Sequence, residues 1–309
     1  MYILLQVVLL VLGFVMLIKG ADWFVDGAAG VAAKLGIPQL IIGLTIVAMG
    51  TSAPEAAVSI SSAMKGCADI TIGNVVGSNI MNILLILGLA SAIVTIKVSD
   101  STVKIEIPFM IGISVLLTVL GMTGNRITFV EGVLLWVLFI GYLAYLFVMA
   151  KKNKETTEEA KAQKPLWQLA ILIVLGAAMI VLGSNFSVDA ATAIAKAFGI
   201  SERFIGLTIV ALGTSLPELV TSVTAARKGN ADIAIGNIVG SNLFNILFVV
   251  GTTALITPVA FAANFTIDAL VSIAAAVLLW VGCFKKKALG RTVGLIMVAS
   301  YAAYFIYLL

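Results

Sequence analysis

Apolar runs of about 20 residues recur along the whole chain, and each is long enough to cross the roughly 30 Å hydrocarbon core of a bilayer. Such runs constrain the fold, because backbone groups in lipid must form their hydrogen bonds within their own segment. The runs are continuous rather than alternating ten-residue segments, which excludes an outer-membrane barrel. Only 11% of the residues are charged, against roughly 25% in soluble domains. The sequence therefore predicts an all-α polytopic membrane protein.

Polar residues, glycines and prolines divide the apolar sequence into ten predicted spans. They cover residues 2–33, 38–64, 69–96, 104–122, 127–149, 166–197, 202–226, 231–256, 266–284 and 288–308. The first run is too long for a cleaved secretory signal and lacks a basic n-region, so we expect a retained first span. The hydrophilic segment 151–164 is predicted to be a solvated linker between two halves of five helices, 1–150 and 165–309.

Basic residues are distributed unevenly between the two sides of this ten-span arrangement. Fourteen Lys and Arg residues fall on the side of the 151–164 linker, and four fall on the other side. The positive-inside rule makes the linker cytoplasmic and places both termini outside. The net charge of +4 is thus explained by the topology of a plasma-membrane protein. It gives no reason to expect a nucleic-acid partner. The lipid bilayer is the expected surrounding, and no obligatory protein partner is evident.

The two halves contain copies of one sequence. IIGLTIVAMGTSAPE at 41–55 matches FIGLTIVALGTSLPE at 204–218, and TIGNVVGSNIMNIL at 71–84 matches AIGNIVGSNLFNIL at 234–247. At a constant shift of 163, residues 42–89 and 205–252 share 30 identities in 48 positions. Five spans separate equivalent points, so the copies must enter the membrane in opposite directions. Inverted repeats are typical of secondary transporters, whose sites lie near the midplane between the repeats.

Each copy carries one glutamate inside an otherwise apolar span. Glu55 and Glu218 follow the run Gly-Thr-Ser-x-Pro, and an ionised carboxylate facing lipid would cost at least about 2.5–3.5 kcal/mol. They are therefore expected to face a polar interior. Pro54 and Pro217 should break their helices and free carbonyl oxygens at 48–51 and 211–214. Thr51, four residues before Glu55, is expected on the same face.

A second motif, Gly-Asn-x-Val-Gly-Ser-Asn-x-x-Asn, places polar side chains on one face of the third and eighth spans. These side chains are Asn74, Ser78 and Asn82, repeated as Asn237, Ser241 and Asn245. Together with the two breaks they predict an all-oxygen cage, which suits hard cations such as Ca²⁺, Na⁺ or Mg²⁺. The chain has no histidine. Asp22, Asp26 and Asp189 are expected to have interfacial or vestibule roles.

These paired motifs resemble the alpha repeats of the cation/Ca²⁺ exchanger superfamily, in particular its prokaryotic sodium/calcium exchangers. The resemblance covers the whole chain and implies ten spans with a short central loop. It also implies antiport of Na⁺ and Ca²⁺ by alternating access, without a cofactor and without enzymatic activity. The Ca²⁺/H⁺ antiporters of this superfamily usually carry Gly-Asn-x-x-Glu in place of Gly-Thr-Ser-x-Pro-Glu, which argues against proton coupling.

The resemblance also implies ligands. Ca²⁺ would be bound by Glu55 and Glu218 with the carbonyls of Thr51 and Thr214. The Na⁺ sites and the central region would use Ala48, Ser52, Ser78, Asn82, Ala211, Ser215, Ser241 and Asn245. Asn245 stands where potassium-dependent exchangers have an aspartate, which argues against K⁺ co-transport. Two carboxylates neutralise one Ca²⁺, whereas the three Na⁺ expected from the family would leave the site at +1, so exchange should be electrogenic.

Other functions remain open on the sequence alone. A Ca²⁺/H⁺ or other divalent-cation/H⁺ antiporter could use the same two carboxylates as proton carriers. A cation channel would show no dependence on a counter-ion. An intramembrane enzyme is not expected, because no nucleophile and base stand at a recognisable spacing. For exchange by alternating access, the length and small residues of the first and sixth spans suggest that these two slide across the other eight.

Overall fold

The structure is a computed structural model that describes residues 2–66, 68–152, 164–199, 211–263 and 265–308. It is almost entirely helical, because the long apolar runs form helices. These are α1 Tyr2–Leu35, α2 Gln39–Thr51, α3 Ala53–Met64, α4 Ile70–Ile93, α5 Thr102–Gly124, α6 Phe129–Lys152, α7 Leu166–Ala197, α8 Ala211–Thr214, α9 Leu216–Arg227, α10 Ala231–Ile256, α11 Phe265–Phe284 and α12 Arg291–Leu308.

Eight of the described helices are long and apolar enough to cross a membrane, and α2 with α3 forms a ninth candidate. The predicted seventh span, 202–226, begins outside the described residues. Its later part forms α8 and α9. The fold is therefore a polytopic helical bundle, as the sequence predicts.

The chain bends by 49° between α2 and α3, where Ser52 leaves the helical conformation. Pro54 lies in the first turn of α3, where its missing N–H and its ring interrupt the preceding helix. Ser215 separates α8 from α9 in the same way, and Pro217 lies in the first turn of α9. Both predicted helix breaks are thus present, one in each half.

Helices α4 and α10 form the centre of the bundle. In the most apolar window of α10, 94% of the residues are buried, whereas the corresponding share in α1 is 17%. Each central helix contains a π-helical turn, Asn82–Leu87 in α4 and Asn245–Val250 in α10, at positions related by the shift of 163. A further π-helical turn, Thr102–Glu106, opens α5. Such turns are rare and often mark functional positions.

The long helices α1 and α7 pack against each other with their backbones in close approach. A Cβ atom added at Gly20 would lie 2.8 Å from the carbonyl oxygen of Gly176, and one added at Gly176 would lie 2.6 Å from the amide nitrogen of Phe24. Small residues allow this approach, as in other membrane helix pairs. Gly13 and Gly183 continue the contact toward one end. The pair forms one unit at the edge of the bundle.

Two short antiparallel ribbons tie the halves together. β1 Ile96–Lys97 pairs with β4 Ala288–Leu289, and β2 Arg126–Ile127 pairs with β3 Val259–Ala260. Beside the first ribbon, Asp100 forms ion pairs with Lys287 and Lys104. Hydrogen bonds from Lys287 and then Lys104 hold the pKa of Asp100 below its usual range.

Candidate cation site

Glu55 and Glu218 lie in the first turns of α3 and α9, directly after the two helix breaks, and each is only 1% exposed. Neither carboxylate oxygen of Glu55 has a hydrogen-bond partner among the described residues. Oε1 of Glu218 accepts a 2.7 Å hydrogen bond from the Ser52 hydroxyl, while its Oε2 is unpartnered within the described chain. A buried, unpaired carboxylate costs several kcal/mol, so both groups require a cation or a proton.

Hydrogen bonds join each break to the opposite half of the chain. Besides the bond from Ser52 to Glu218, the Thr51 hydroxyl donates to Oδ1 of Asn237 at 2.9 Å. The Ser241 hydroxyl donates to the carbonyl oxygen of Ala48 at 3.4 Å. Residues of the first break therefore face residues of α9 and α10. The fold brings the two predicted motifs into one centre between the halves.

Asn74 and Asn237 hold the starts of α3 and α9 in place. Nδ2 of Asn74 donates to the carbonyl of Glu55 at 3.2 Å and to Ser59 Oγ at 2.9 Å. Nδ2 of Asn237 repeats both bonds, to the carbonyl of Glu218 at 3.5 Å and to the Ser222 hydroxyl at 2.9 Å. The sequence motif predicts oxygen ligands here, and the amide nitrogens also donate hydrogen bonds that fix the neighbouring backbone.

Two further asparagines, Asn79 and Asn242, orient the predicted ligands Asn82 and Asn245. Nδ2 of Asn82 donates to Oδ1 of Asn242 at 3.0 Å, and Nδ2 of Asn245 donates to Oδ1 of Asn79 at 3.1 Å. Asn79 and Asn242 also donate to each other's backbone carbonyls, at 3.3 and 3.2 Å. The predicted ligands omit both residues, although both recur at the shift of 163 inside the quoted motif.

The centre thus contains acceptor oxygens that receive no hydrogen bond from the donors around them. Within the described residues, the buried oxygens without partners include both of Glu55, Oε2 of Glu218, Oγ of Ser215, and Oδ1 of Asn82 and Asn245. These are carboxylate, hydroxyl and amide oxygens, which are the ligands of hard cations such as Ca²⁺ and Na⁺. The part of the chain that the structure describes has no cluster of three or more His, Cys, Asp or Glu.

The remaining predicted ligands lie at or beside this centre. Ser78, Ser215 and Ser241 are buried, and Ala211 begins the turn α8 that ends at Thr214. Thr214 lines two cavities. One, of about 320 Å³, also contacts Ser78 and Asp268; the other, of about 230 Å³, contacts Asp189. Asp189, for which an interfacial or vestibule role is expected, lines the second cavity.

The other two acids for which an interfacial or vestibule role is expected have a different arrangement. Asp22 and Asp26 of α1 form ion pairs with Lys228, just beyond the end of α9, at 3.2 and 2.8 Å. The carbonyl oxygen of Asp22 also accepts a hydrogen bond from the Lys228 ammonium at 3.1 Å. These contacts attach the edge helix α1 to the central part of the bundle.

The sequence and the fold are similar to those of known proteins. A family model described as sodium/calcium exchanger protein matches residues 5–148 and 168–309. The sodium/calcium exchanger MaX1 of Methanosarcina acetivorans is 32% identical over 97% of each chain, and the inner membrane protein YrbG of Escherichia coli is 36% identical over 96% of this chain and 95% of its own. A solved structure of the sodium-calcium exchanger NCX_Mj, soaked with zero Na⁺ and Ca²⁺, superposes with a TM-score of 0.87 at 31% identity, covering 99% of this chain and 100% of that one.

Proposed function

Since this chain belongs to the sodium/calcium exchanger protein family, we propose that it exchanges Na⁺ for Ca²⁺ across the cell membrane by alternating access. The observation that carries the proposal is the buried pair Glu55 and Glu218, whose oxygens lack sufficient donors within the described chain. Two carboxylates held by opposite halves of one bundle provide a shared site for a hard cation. Because both ions need the same carboxylates, they cannot bind together, and transport becomes exchange.

The proposed Ca²⁺ ligands are Glu55 and Glu218 with the carbonyl oxygens of Thr51 and Thr214. Asn82 and Asn245 supply amide oxygens in the central region. Their amide nitrogens donate to Asn242 and Asn79, and their own Oδ1 atoms accept no hydrogen bond within the described residues. The overlapping Na⁺ sites use Ala48, Ser52, Ser78, Ala211, Ser215 and Ser241. The hydroxyl of Ser52, which reaches Glu218, supports this overlap of the Ca²⁺ and Na⁺ sites.

The proposed architecture consists of ten spans in two inverted five-helix repeats, 1–150 and 165–309. Its support is the set of hydrogen bonds that recur at the shift of 163, together with helix breaks at equivalent serines. The proposed orientation places both termini outside and the 151–164 linker in the cytoplasm, following the excess of basic residues on the linker side.

The proposed stoichiometry of about three Na⁺ per Ca²⁺ follows the family and makes each cycle carry one net charge. A site with two carboxylates is neutral with Ca²⁺ and positive with three Na⁺. Inward movement of Na⁺ would then gain about 2.3 kcal/mol per 100 mV of membrane potential. This gain would drive Ca²⁺ extrusion against its gradient.

For the movement between states, we propose that α1 and α7 slide together across the remaining helices. Their glycine-mediated contact supports a rigid pair, and their low burial supports a place at the edge of the bundle. A cross-link that fixes α1 to the central helices should stop transport. Full transport in the cross-linked protein would contradict this mechanism.

Radioactive Ca²⁺ uptake into Na⁺-loaded proteoliposomes tests the proposed function. External Na⁺, K⁺ and a large inert cation are compared, and Glu55→Gln and Glu218→Gln serve as matched variants that keep the side-chain shape. We expect uptake that requires the Na⁺ gradient and falls roughly 100-fold or more in each variant, since each loses a buried charge that faces the ion. Uptake driven by a pH gradient would instead assign proton coupling. Uptake indifferent to both gradients would refute exchange.

A further inference from the structure

A cavity of about 460 Å³ lies between α5 and α6, away from the cation site. Its volume is more than ten times the roughly 30 Å³ that one water molecule occupies in the liquid. Most of its lining is apolar, and Ile105 and Val137 at its border are 47% and 59% exposed on the outer surface of the bundle. In a membrane protein that surface faces lipid, so an apolar chain can reach the cavity from the side.

The inner wall of this cavity is polar. Glu106 is 1% exposed, and its Oε1 accepts a hydrogen bond of 2.5 Å from the Tyr145 hydroxyl. Its Oε2 has no partner in the described part of the chain, and the same holds for the hydroxyl of Tyr142, which is 5% exposed. The wall therefore offers a carboxylate oxygen and a tyrosine oxygen to a group that donates several hydrogen bonds.

A related acid–tyrosine pair lies in the other half of the chain, where the Tyr304 hydroxyl donates to Oδ1 of Asp268 at 2.8 Å. These two residues stand 162 positions after Glu106 and Tyr142, and the carboxylate of Asp268, unlike that of Glu106, has no buried oxygen without a partner among the described residues. The π-helical turn Thr102–Glu106 has an α-helical counterpart at the start of α11. A buried glutamate in a span is costly, so its unpartnered oxygen requires a proton, a cation or a hydrogen-bond donor.

Basic side chains lie at the same end of these helices. Lys151 and Lys152 end α6, six and seven residues after Tyr145, while Lys104, two residues before Glu106, is paired with Asp100. The end of the cavity thus combines a buried acceptor with exposed cations nearby. This charge pattern is complementary to a zwitterionic head that has an ammonium at its tip and a phosphate beside it.

We propose that the cavity between α5 and α6 binds an aminophospholipid, whose primary ammonium donates to Glu106 and Tyr142. The phosphate lies toward the two lysines at the end of α6, and part of an acyl chain fills the apolar lining. A primary ammonium has three N–H donors, whereas a choline head has none. The site therefore selects lipids by the number of N–H donors. It is independent of the proposed exchange function.

Titration of the purified full chain with lipid, followed by native mass spectrometry, tests this site. The probes are phosphatidylethanolamine, its N-methyl and N,N-dimethyl forms, phosphatidylcholine and phosphatidylglycerol, all with the same acyl chains. We expect retention to fall as methyl groups replace N–H donors. Glu106→Gln should weaken phosphatidylethanolamine binding about tenfold or more, because it removes a charged acceptor. Tyr142→Phe, which removes one oxygen and little volume, should also weaken it.

Glu131→Gln is the matched control, since Glu131 lies in the first turn of α6, at the end away from Tyr145, and accepts hydrogen bonds from Thr128 at 2.6 and 2.8 Å. This variant should retain phosphatidylethanolamine as the unmodified chain does. Equal retention of phosphatidylcholine and phosphatidylethanolamine would overturn the proposal. Unchanged binding in both Glu106→Gln and Tyr142→Phe would also overturn it. Preferential binding of phosphatidylglycerol would assign the binding to the lysines alone.

Discussion

At the scale of single residues, Asn79 and Asn242 matter through the ligands that they orient. Each accepts a hydrogen bond from one predicted ligand amide and donates one to the opposite backbone. In Asn79→Ala, Asn245 loses its partner and its amide can rotate, so Oδ1 no longer faces the centre.

We expect the KM for Ca²⁺ to rise about tenfold in Asn79→Ala, with a smaller change in kcat, because one buried hydrogen bond is left unmade. Initial uptake rates measured over a range of Ca²⁺ concentrations give both constants. Asn242→Ala should behave alike, and Ser300→Ala, on an exposed part of α12, serves as the control. An unchanged KM in the two asparagine variants would contradict a positioning role.

The two buried carboxylates of the candidate site could be predicted from the sequence, whereas several contacts around them could not. Glu55 and Glu218 stand out because acids are costly in apolar spans. Ser184, by contrast, donates a 2.6 Å hydrogen bond to the carbonyl of Gly213, the oxygen freed by Pro217. Its counterpart at the shift of 163 is Ala21, so neither motif nor repeat indicates this contact. It depends on how α7 packs against α8, which periodicity does not contain.

At the scale of helices, the ion pairs of Lys228 attach α1 to the end of α9. In the proposed orientation this contact lies on the cytoplasmic side, while the two cavities that reach Thr214 lie toward the outer side. Lys228→Met should therefore favour the inward-open state. An exposed ion pair contributes about 0–1 kcal/mol, so the shift is at most roughly fivefold.

The ratio of apparent Ca²⁺ affinities on the two sides of oriented vesicles measures this shift. The exchanged pair, Lys228→Asp with Asp26→Lys, should restore part of the original ratio, because it re-forms the pair with position 26 but not the pair with Asp22. An identical ratio in Lys228→Met would show that the contact does not distinguish the two states.

The contact between α1 and α7 gives a separate prediction. Gly176→Ala places a Cβ atom 2.6 Å from the backbone nitrogen of Phe24, so the two helices must separate. Overpacking of this kind costs about 1–3 kcal/mol. We expect a lower Tm and slower Ca²⁺ uptake. Gly112→Ala in α5, where an added Cβ meets nothing within 4 Å, should leave both unchanged. Equal Tm values for the two variants would argue against a close helix contact.

Helix positions followed closely from the sequence because apolar runs define them. The predicted spans 166–197 and 231–256 coincide with α7 and α10, and 127–149 lies close to Phe129–Lys152. The two-residue ribbons were not predicted, since strands of this length have no periodicity of their own. The π-helical turns have φ and ψ values close to α-helical ones, and sequence patterns do not distinguish them.

At the scale of the whole molecule, the charge of the site predicts how exchange responds to voltage. If three Na⁺ exchange for one Ca²⁺, each 100 mV changes the Ca²⁺ gradient at equilibrium by about 2.3 kcal/mol, or roughly 50-fold. Ca²⁺ fluxes in liposomes whose potential is set by K⁺ and an ionophore give the reversal potential. A gradient that is independent of voltage would indicate exchange of two monovalent cations for each Ca²⁺.

The relation between the halves also has a consequence for how such a molecule changes state. If the two repeats exchange conformations, every contact is replaced by its counterpart 163 residues away. The contact of Lys228 is then lost, and its counterpart forms around Lys65 on the opposite face of the membrane. The bonds between Asn79 and Asn242 are each other's counterparts, because 79 and 242 differ by that same shift. The hydrogen bonds of this pair would be the same in both conformations. We therefore expect the two halves to move about this pair as a fixed point.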